Sequence, residues 1–593
     1  MKLIFRLVFL IGFFFYFSGV VLGRNDREIT VRELKEHLFC LASDALAGRA
    51  PGTAGDDSAA AYILRQISLP NVRLLGDQGF QPFEITTSIR LGTKNTLFDG
   101  DSLLTAERDF MPLSFSASGS LDAAVVFAGY GFDLQTDSLS WNDYDSLDVA
   151  GKWVLLLRGD PELDRVDSPF ASIASLRSKV ITAKDHGAAG VLFVAGKAFD
   201  AKDDLPSLNL QEGSSPVDLP ILQVKKRIVD QWLADTGFTV DSLESRLNST
   251  RKPVRIVFDR RVAAEVEVER VTGFTRNVAA LLPGSDPLFK DEIILIGAHY
   301  DHLGMGGPGS GSRTPDTLAV HNGADDNASG VALAVELFEK LALDRRPPKR
   351  SVLFIAFGAE ERGSLGAKFF IQNPLVDLKK IVFMLNLDMV GRLDSTLTLL
   401  GSGTAIGVDS TARNYAEKHK LALTFSPEGL GPSDHAAFYA ENIPVLMAFT
   451  GLHQDYHTPE DDVEKINLEG MKRIGCFLYD FVNDIADRPT APAFQLAGPQ
   501  RSTVSRRQLK VTLGIMPDMT GQEKRGLRVD GVSPDRPAFR AGIQKGDIII
   551  AIDGKPVHDI YEYMHRMGQV QPGSRIHVEV LRNEEHLILI VDL

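Results

Sequence analysis

Four apolar runs in the middle of the chain decide the fold: EIILIGAH (292–299), SVLFIAFG (351–358), KIVFMLNLD (380–388) and IPVLMAFTG (443–451). Each run has the length and composition of a buried strand, and helical patterns such as GVALAVELFEKLAL (330–343) lie between them. Strands that alternate with helices predict a mainly parallel sheet covered by helices on both faces. We therefore predict an α/β fold for this part of the chain.

Acidic and histidine residues follow these runs where each predicted strand ends. The residues in question are His299, Glu360, Glu361, Asp388 and, after a short loop, His457. Asp326 lies in GADDNASG, just before the helical pattern, where the N–H groups of a helix start favour a carboxylate. Because ligands of open α/β sheets bind outside the carboxyl ends of the strands, we expect these side chains to converge on one crevice.

Two imidazoles and three carboxylates in one crevice suit a pair of zinc ions if one carboxylate bridges them. Of the adjacent residues Glu360 and Glu361, one carboxylate can bind metal while the other takes the proton from a metal-activated water. Any one of these residues alone is more typical of a surface or capping position. The five ligand positions together favour a metal site.

Six motifs resemble the secreted di-zinc aminopeptidases, a family that also includes relatives of glutamate carboxypeptidase and the transferrin receptor. They are GAHYDHLG (297–304), GADDNASGVA (323–332), FGAEERGSLGA (357–367), NLDMVGR (386–392), SDHAAF (433–438) and YHTPEDD (456–462). LASDALAGRAPGT (41–53) is similar to the N-terminal segment of the same family. The resemblance implies the zinc exopeptidase fold and two zinc ions per chain.

The resemblance also implies a role for each ligand position of the family, and none of the five is missing. His299 and Asp388 would bind one zinc ion, and Glu361 and His457 would bind the other. Asp326 would bridge the two ions.

The remaining roles are likewise implied by the resemblance. Glu360 would be the general base, and Tyr456 would stabilise the tetrahedral oxyanion. Asp301 would hydrogen-bond the far nitrogen of His299. Arg392, Asp434 and His435 are expected to line the substrate site.

Three further histidines are alternatives for the ligand positions. His453 lies four residues before His457 and is the strongest rival ligand. His302 and His321 lie in or beside a glycine-rich loop, where we expect structural roles.

Two further domains are predicted on either side of the central motifs. The β-rich segment 113–261 resembles a protease-associated (PA) domain, through AAVVFAGYGFD (123–133), DVAGKWVLLLRGD (148–160) and SKVITAKDHGAAGVLFVAG (178–196). VSPDRPAFRAGIQKGDIIIAIDGKPV (532–557) resembles a PDZ domain, in which LGIMP (513–517) would receive the carboxylate of an extended peptide C-terminus.

These patterns divide the chain into six segments. We predict a signal peptide (1–23), two parts of the peptidase domain (24–112 and 262–487), the inserted PA domain (113–261), a linker (488–505) and the PDZ domain (506–593).

Charge, the N-terminal segment and the cysteine count exclude some classes of function and favour others. The 593-residue chain has a net charge of −14 and no basic cluster, which argues against nucleic-acid binding. Lys2 and Arg6 precede a short apolar run, which predicts export to the periplasm or the outside, with no stable membrane anchor after cleavage. Only Cys40 and Cys476 are present, so a cysteine-rich zinc site is excluded, and the sequence leaves their pairing open.

We therefore predict an exported aminopeptidase that removes N-terminal residues from peptides. Two alternatives remain open from the sequence. The first is a carboxypeptidase or glutaminyl cyclase on the same fold, and the second is a non-catalytic binding protein that uses its PA and PDZ domains.

Overall fold

The computed structural model describes residues 28–135, 140–163, 168–170, 173–210, 216–256, 258–497, 511–518, 523–533 and 535–593. The predicted signal peptide lies outside the described residues, and so do residues 498–505 of the predicted linker. Among the helices of the described part, none is both long and apolar enough to cross a bilayer. Cys40 and Cys476 are free thiols.

The N-terminal segment supplies two helices and two strands to the central α/β domain. Its elements are α1 (Val31–Leu41), α2 (Ala54–Ile67), β1 (Arg73–Leu74) and β2 (Phe80–Leu91).

An inserted domain follows and has its own sheet. Its elements are β3 (Thr96–Asp99), β4 (Ser102–Leu104), β5 (Phe110–Pro112), β6 (Gly119–Phe127), β7 (Asp133–Gln135), β8 (Ser140–Asn142), β9 (Trp153–Leu157), α3 (Leu176–Asp185), β10 (Gly190–Val194), β11 (Ile221–Val224), α4 (Lys226–Trp232), α5 (Val240–Thr250) and β12 (Arg261–Val266). The sheet order β4-β3-β12-β6-β9-β10-β11-β5 extends beyond the predicted bounds 113–261 at both ends. The early strands β3 to β5 are only three or four residues long, so the sequence pattern gives little sign of them.

The chain then returns to the central α/β domain. Its remaining elements are β13 (Val268–Leu282), β14 (Ile293–His299), α6 (Gly330–Leu343), β15 (Ser351–Phe357), α7 (Leu365–Gln372), β16 (Ile381–Leu387), β17 (Thr396–Leu400), α8 (Val408–Lys418), β18 (Ala422–Ser426), α9 (His435–Tyr439), β19 (Val445–Phe449) and α10 (Leu468–Asp487).

The central sheet has the strand order β1-β13-β15-β14-β16-β19-β17-β18, and β2 pairs with the long strand β13. Strands β15, β14, β16 and β19 run parallel to one another, and β17 runs parallel to β18. The pairs β13–β15 and β17–β19 are antiparallel. Every residue of β14 and β15 is buried, which explains why these runs are apolar throughout rather than alternating. The predicted α/β class with a mainly parallel central sheet is confirmed.

Helix α10 shows how the sheet is covered. Its buried residues recur at helical spacing: Met471, Ile474, Phe477, Leu478, Phe481, Val482 and Ile485. These side chains join one core cluster with residues of α1, α6 and the central strands. Burial of this apolar face is what keeps the helix against the sheet.

The C-terminal domain is a small β-rich unit. Its elements are β20 (Ile515–Pro517), β21 (Leu527–Val532), α11 (Pro537–Arg540), β22 (Ile548–Ile552), β23 (Lys555–Pro556), α12 (Ile560–Gln569), β24 (Arg575–Arg582) and β25 (Glu585–Asp592). Its sheet has the order β20-β21-β22-β24-β25, so β20 lies at an edge.

Candidate metal centre

Parallel strands bring the predicted ligands to one edge of the central sheet. His299 is the last residue of β14, Asp388 directly follows β16, and the pair Glu360 and Glu361 follows β15. His457 lies in the loop after β19. Because these strands are parallel neighbours, their carboxyl ends meet, as the sequence predicts.

Two groups of buried side chains share Asp326. His299 Nε2 lies 3.3 Å from Asp326 Oδ1 and 3.5 Å from Asp388 Oδ1. On the other side, His457 Nε2 lies 3.1 Å from Asp326 Oδ2 and 3.2 Å from Glu361 Oε2. The structure therefore brings all five predicted ligands together, with Asp326 in the central position.

His302, for which the sequence predicts a structural role, lies beside the second group of candidate ligands. Its Nδ1 lies 2.6 Å from Glu361 Oε1 and 4.0 Å from Asp326 Oδ2, so His302, Asp326 and Glu361 form a second group able to hold a cation. The rings of His302 and His457 are 5.7 Å apart. The spacing of His302 from His299 in GAHYDHLG is a usable signal, because His299 ends β14 and His302 lies three residues further on at the same edge of the sheet.

The adjacent carboxylates Glu360 and Glu361 have opposite electrostatic environments. Removal from water raises the pKa of Glu360 well above its ordinary value, and the nearby His299 does not cancel this rise. Removal from water also acts on Glu361, but hydrogen bonds from His302 and His457 outweigh it and lower the pKa of Glu361 to about 2. Glu361 is therefore suited to bind a cation, and Glu360 is suited to accept a proton.

Asp301 orients this glutamate pair through the backbone. Its Oδ1 accepts the N–H of Glu360 at 2.9 Å, and its Oδ2 accepts the N–H of Glu361 at 3.2 Å. His299 Nδ1 lies 3.3 Å from the backbone carbonyl oxygen of Asp301 but 3.8 Å from its carboxylate. Asp301 thus contacts the far nitrogen of His299 through its backbone carbonyl, while its carboxylate accepts the two N–H groups of the glutamates.

Tyr456 and the rival histidine His453 lie on the same loop as His457. The Tyr456 ring stacks on the His457 ring, with centroids 3.8 Å apart. Burial raises the pKa of the Tyr456 phenol, so it stays protonated and can donate a hydrogen bond. His453 Nε2 instead lies 3.2 Å from Asp325 Oδ2, outside both groups that share Asp326.

Arg392, which the sequence predicts to line the substrate site, forms ion pairs with two aspartates of the loop that carries His457. Its guanidinium lies 3.2 Å from Asp455 Oδ2 and 3.0 Å from Asp461 Oδ1. Asp461 Oδ2 in turn accepts the N–H groups of Asp325 at 2.9 Å and of Asp326 at 3.0 Å. Arg392 and Asp461 thereby position the loop that carries Asp326.

Asp434 and His435, also predicted to line the substrate site, are fully buried at the start of α9. Among the described residues, neither carboxylate oxygen of Asp434 has a hydrogen-bond partner, and burial raises its pKa to about 8. Burial lowers the pKa of His435 to about 4. Burial therefore favours the neutral form of both side chains.

Arg49 is a second residue whose role the sequence did not reveal. Its buried guanidinium donates to the backbone carbonyls of Tyr300 at 2.8 Å, Asn322 at 2.6 Å and Gly323 at 3.1 Å. These residues flank His299 and Asp326 in the chain. The LASDALAGRAPGT segment thus joins the two ligand-bearing loops through this one side chain.

The contacts of Asp461 give a testable expectation. Asp461→Asn would place an amide N–H₂ near Arg392 and weaken the acceptor that holds the N–H of Asp326. Because residues that orient metal ligands typically contribute about 10–100-fold in affinity, we expect a loss of zinc affinity in this range. Competition with a chromophoric chelator measures it.

The matched control is Asp462→Asn, which removes a neighbouring carboxylate that caps no helix N–H and makes no ion pair with Arg392. Zinc affinity of Asp462→Asn should stay near wild type. Equal affinities in both variants would show that Asp461 does not support the bridging position.

The donor set fits divalent zinc. All donor atoms are imidazole nitrogens or carboxylate oxygens, which zinc accepts. Asp301, Asp326, Asp388 and Asp461 are all buried. Arg392 pairs with Asp461, whereas the buried guanidinium of Arg49 directs its hydrogen bonds to carbonyls. Such a concentration of buried carboxylates calls for bound cations.

Comparisons with known proteins agree with this geometry. Residues 277–482 match peptidase family M28, residues 121–232 match the PA domain, and residues 511–593 match the PDZ domain. The predicted resemblance is confirmed for all three regions, and we use the names PA domain and PDZ domain below.

Two curated relatives are similar over different shares of the chain. Aminopeptidase YwaD of Bacillus subtilis (strain 168) is 26% identical over 474 residues, which cover 77% of this chain and 86% of YwaD. Leupeptin-inactivating enzyme 1 of Streptomyces exfoliatus is 30% identical over 181 residues, 30% of this chain and 36% of that protein. Among solved structures, an aminopeptidase from Aneurinibacillus sp. strain AM-1 has a TM-score of 0.48 at 23% identity, covering 79% of this chain and 96% of its own.

Proposed function

We propose that this chain, which carries a peptidase family M28 domain at residues 277–482, is a zinc-dependent aminopeptidase. One observation carries the proposal: two groups of candidate ligands share Asp326, and Glu360 directly precedes one of these ligands, Glu361. The extensive similarity to an aminopeptidase supports the choice of N-terminal residues as the substrate.

In this proposal, His299 and Asp388 would hold one zinc ion, Glu361 and His457 would hold the other, and Asp326 would serve both. His302 holds the second oxygen of Glu361 in place. Zinc bound there would supply a Lewis acid that polarises the substrate carbonyl and lowers the pKa of water.

Glu360 carries the proton during the reaction. Its carboxylate accepts a proton from the attacking water as the oxygen adds to the scissile carbonyl carbon. It then donates this proton to the leaving nitrogen as the C–N bond breaks. The raised pKa of Glu360 supports both transfers, because the carboxyl holds the proton between the two steps.

Tyr456 stabilises the negative charge that develops on the carbonyl oxygen. The protonated phenol is surrounded by the carboxylates of the site and shares the loop of His457. A hydrogen bond donated to the oxyanion is the contribution that such a group makes to hydrolysis.

The first experiment combines zinc content with hydrolysis of three peptides of the same sequence: free-amine, N-acetylated and C-terminally amidated. We expect about two zinc ions per chain. We also expect hydrolysis of the free-amine and amidated peptides, none of the acetylated one, and loss of activity with a chelator that added zinc restores.

Other results would select the alternatives. Hydrolysis that requires a free carboxylate would indicate a carboxypeptidase, and cyclisation of N-terminal glutamine would indicate a glutaminyl cyclase. Zinc-free protein without activity would favour a binding protein that acts through its PA and PDZ domains.

We also propose that residues 1–23 direct export to the periplasm or the outside, which N-terminal sequencing of the exported protein tests. In the PDZ domain, β20 is an edge strand that pairs with β21 among the described residues. An extended C-terminal peptide adding beside β20, near the LGIMP loop, is the binding mode we propose for this domain. Titration with C-terminal and C-terminally amidated peptides tests it, since amidation should abolish binding.

A further inference from the structure

The PDZ domain is bound to the PA domain through α12 and α3. Arg177 lies 2.6 Å from Asp559, the residue that caps α12, and its guanidinium is 4.0 Å from the centre of the Tyr561 ring. Arg566 makes two hydrogen bonds to Asp185, one of them 2.9 Å long. We call this set of contacts the α3–α12 contact.

Further pairs extend the α3–α12 contact along both helices. Lys184 Nζ lies 3.3 Å from Glu562 Oε1, and Thr182 Oγ1 lies 3.4 Å from His565 Nε2. Arg566 and Glu562 are buried, and buried charges destabilise a protein unless partners compensate them. The surfaces of the two helices are therefore complementary in charge.

The PDZ domain also contacts the peptidase domain beside the metal centre. Lys545 Nζ lies 2.6 Å from Glu441 Oε1 and donates to the carbonyl of Ala440, at the end of α9. Helix α9 begins directly after Asp434, whose carboxylate interacts electrostatically with Glu360.

Lys368 on α7 provides a second link between the PDZ domain and the site. Burial lowers the pKa of Lys368, and carboxylates on two sides oppose this effect. Asp530 and Asp518 belong to the PDZ domain, whereas Glu360 and Asp434 belong to the metal centre. The PDZ domain therefore lies within electrostatic reach of the same lysine as the proposed base.

The PA domain borders the other side of the metal centre. Gly309 lies so close to the PA segment around Leu210 that a Cβ atom there would come within 2.8 Å of the Leu210 carbonyl oxygen. Two residues later, the carbonyl of Gly311 lies 3.1 Å from His457 Nδ1. The PA domain thus supports the loop that orients a proposed zinc ligand.

Peptidase, PA and PDZ domains consequently contact one another in a closed ring, and the segments of the peptidase domain that they touch adjoin His457 and Asp434. We propose that the α3–α12 contact keeps this ring closed and thereby limits the length of peptide that the site accepts. The inference rests on the proposed aminopeptidase function. An N-terminal residue can enter the site, while the rest of a long peptide must pass between walls that the contact holds together.

The test uses the full chain with Arg177→Glu, Lys184→Glu and Asp185→Lys combined, which places like charges opposite Asp559, Glu562 and Arg566. We compare kcat/KM for an aminoacyl-4-nitroanilide and for an unstructured peptide of about 20 residues, long enough to span several tens of ångströms. The long peptide should gain about five-fold, or about 1 kcal/mol, while the nitroanilide stays near wild type.

Asp148→Lys is the matched control, because it reverses an exposed acidic residue of the PA domain that pairs with Lys152. Its ratio of long-peptide to nitroanilide turnover should equal that of the wild type. An unchanged ratio in the triple variant would overturn the inference. If the wild-type chain cleaves no nitroanilide, the proposed function fails instead, so the two failures are distinguishable.

Discussion

Glu360→Gln is expected to keep two zinc ions and to lose turnover by about 10²–10⁴-fold, the usual contribution of a general acid–base group. Glutamine has the shape of glutamate but cannot take up the proton of the attacking water. The backbone hydrogen bond from residue 360 to Asp301 is unaffected by the substitution. Elemental analysis of zinc and steady-state kinetics on the same preparation measure both quantities.

The matched control is the neighbouring change, Glu361→Gln. Glu361 lies within the group of cation ligands, and its carboxylate contacts both His302 and His457. We expect Glu361→Gln to hold about one zinc ion, because only one of the two positions in such a pair loses its ligand. Retained turnover in Glu360→Gln would remove Glu360 from the role of base.

Asp326→Ala is expected to remove both zinc ions and all measurable turnover. Asp326 Oδ1 approaches His299, and Oδ2 approaches His457, so one side chain serves both groups. Its loss also leaves two imidazoles without their shared acceptor. Zinc stoichiometry after dialysis, together with activity before and after added zinc, measures the effect.

Asp388→Ala is the matched control for Asp326→Ala. It distinguishes the loss of a bridging carboxylate from the loss of any acidic ligand. Of the two histidine ligands, Asp388 approaches only His299. Its removal should therefore affect one ion and leave about one zinc ion per chain. A stoichiometry near two in Asp326→Ala would exclude Asp326 as the bridge. A value near one would assign Asp326 to a single ion.

The positions of the ligands could be predicted because they depend on local rules. A residue that ends a parallel strand must lie at the carboxyl edge of the sheet, and this rule alone places His299, Glu360 and Asp388 together. The turn before α6 places Asp326 beside them for a similarly local reason.

The supporting contacts could not be predicted, because they join distant parts of the chain. Arg49 contacts Asn322 across 273 residues, and Asp461 contacts Asp326 across 135 residues. No pattern of polarity marks such partners in advance. The burial of Asp434 and His435 depends in the same way on how α9 packs, which the motif SDHAAF does not reveal.

The position of the PDZ domain against the PA domain could not be predicted from the sequence either. A proline-containing linker permits many arrangements of the domains it joins. Complementary charges on α3 and α12 are visible only once the two helices are placed side by side.

The insertion of the PA domain between β2 and β13 has a consequence for biosynthesis. Strand β2 ends at Leu91, and its partner β13 begins at Val268, so the ribosome completes the PA domain before the central sheet can close. His457 is synthesised later still. Arg49 cannot make its hydrogen bond to the carbonyl of Asn322 until that loop has been synthesised. The ligands of the candidate metal centre can therefore come together only after the chain has been synthesised beyond His457 and the peptidase domain has folded around the completed PA domain.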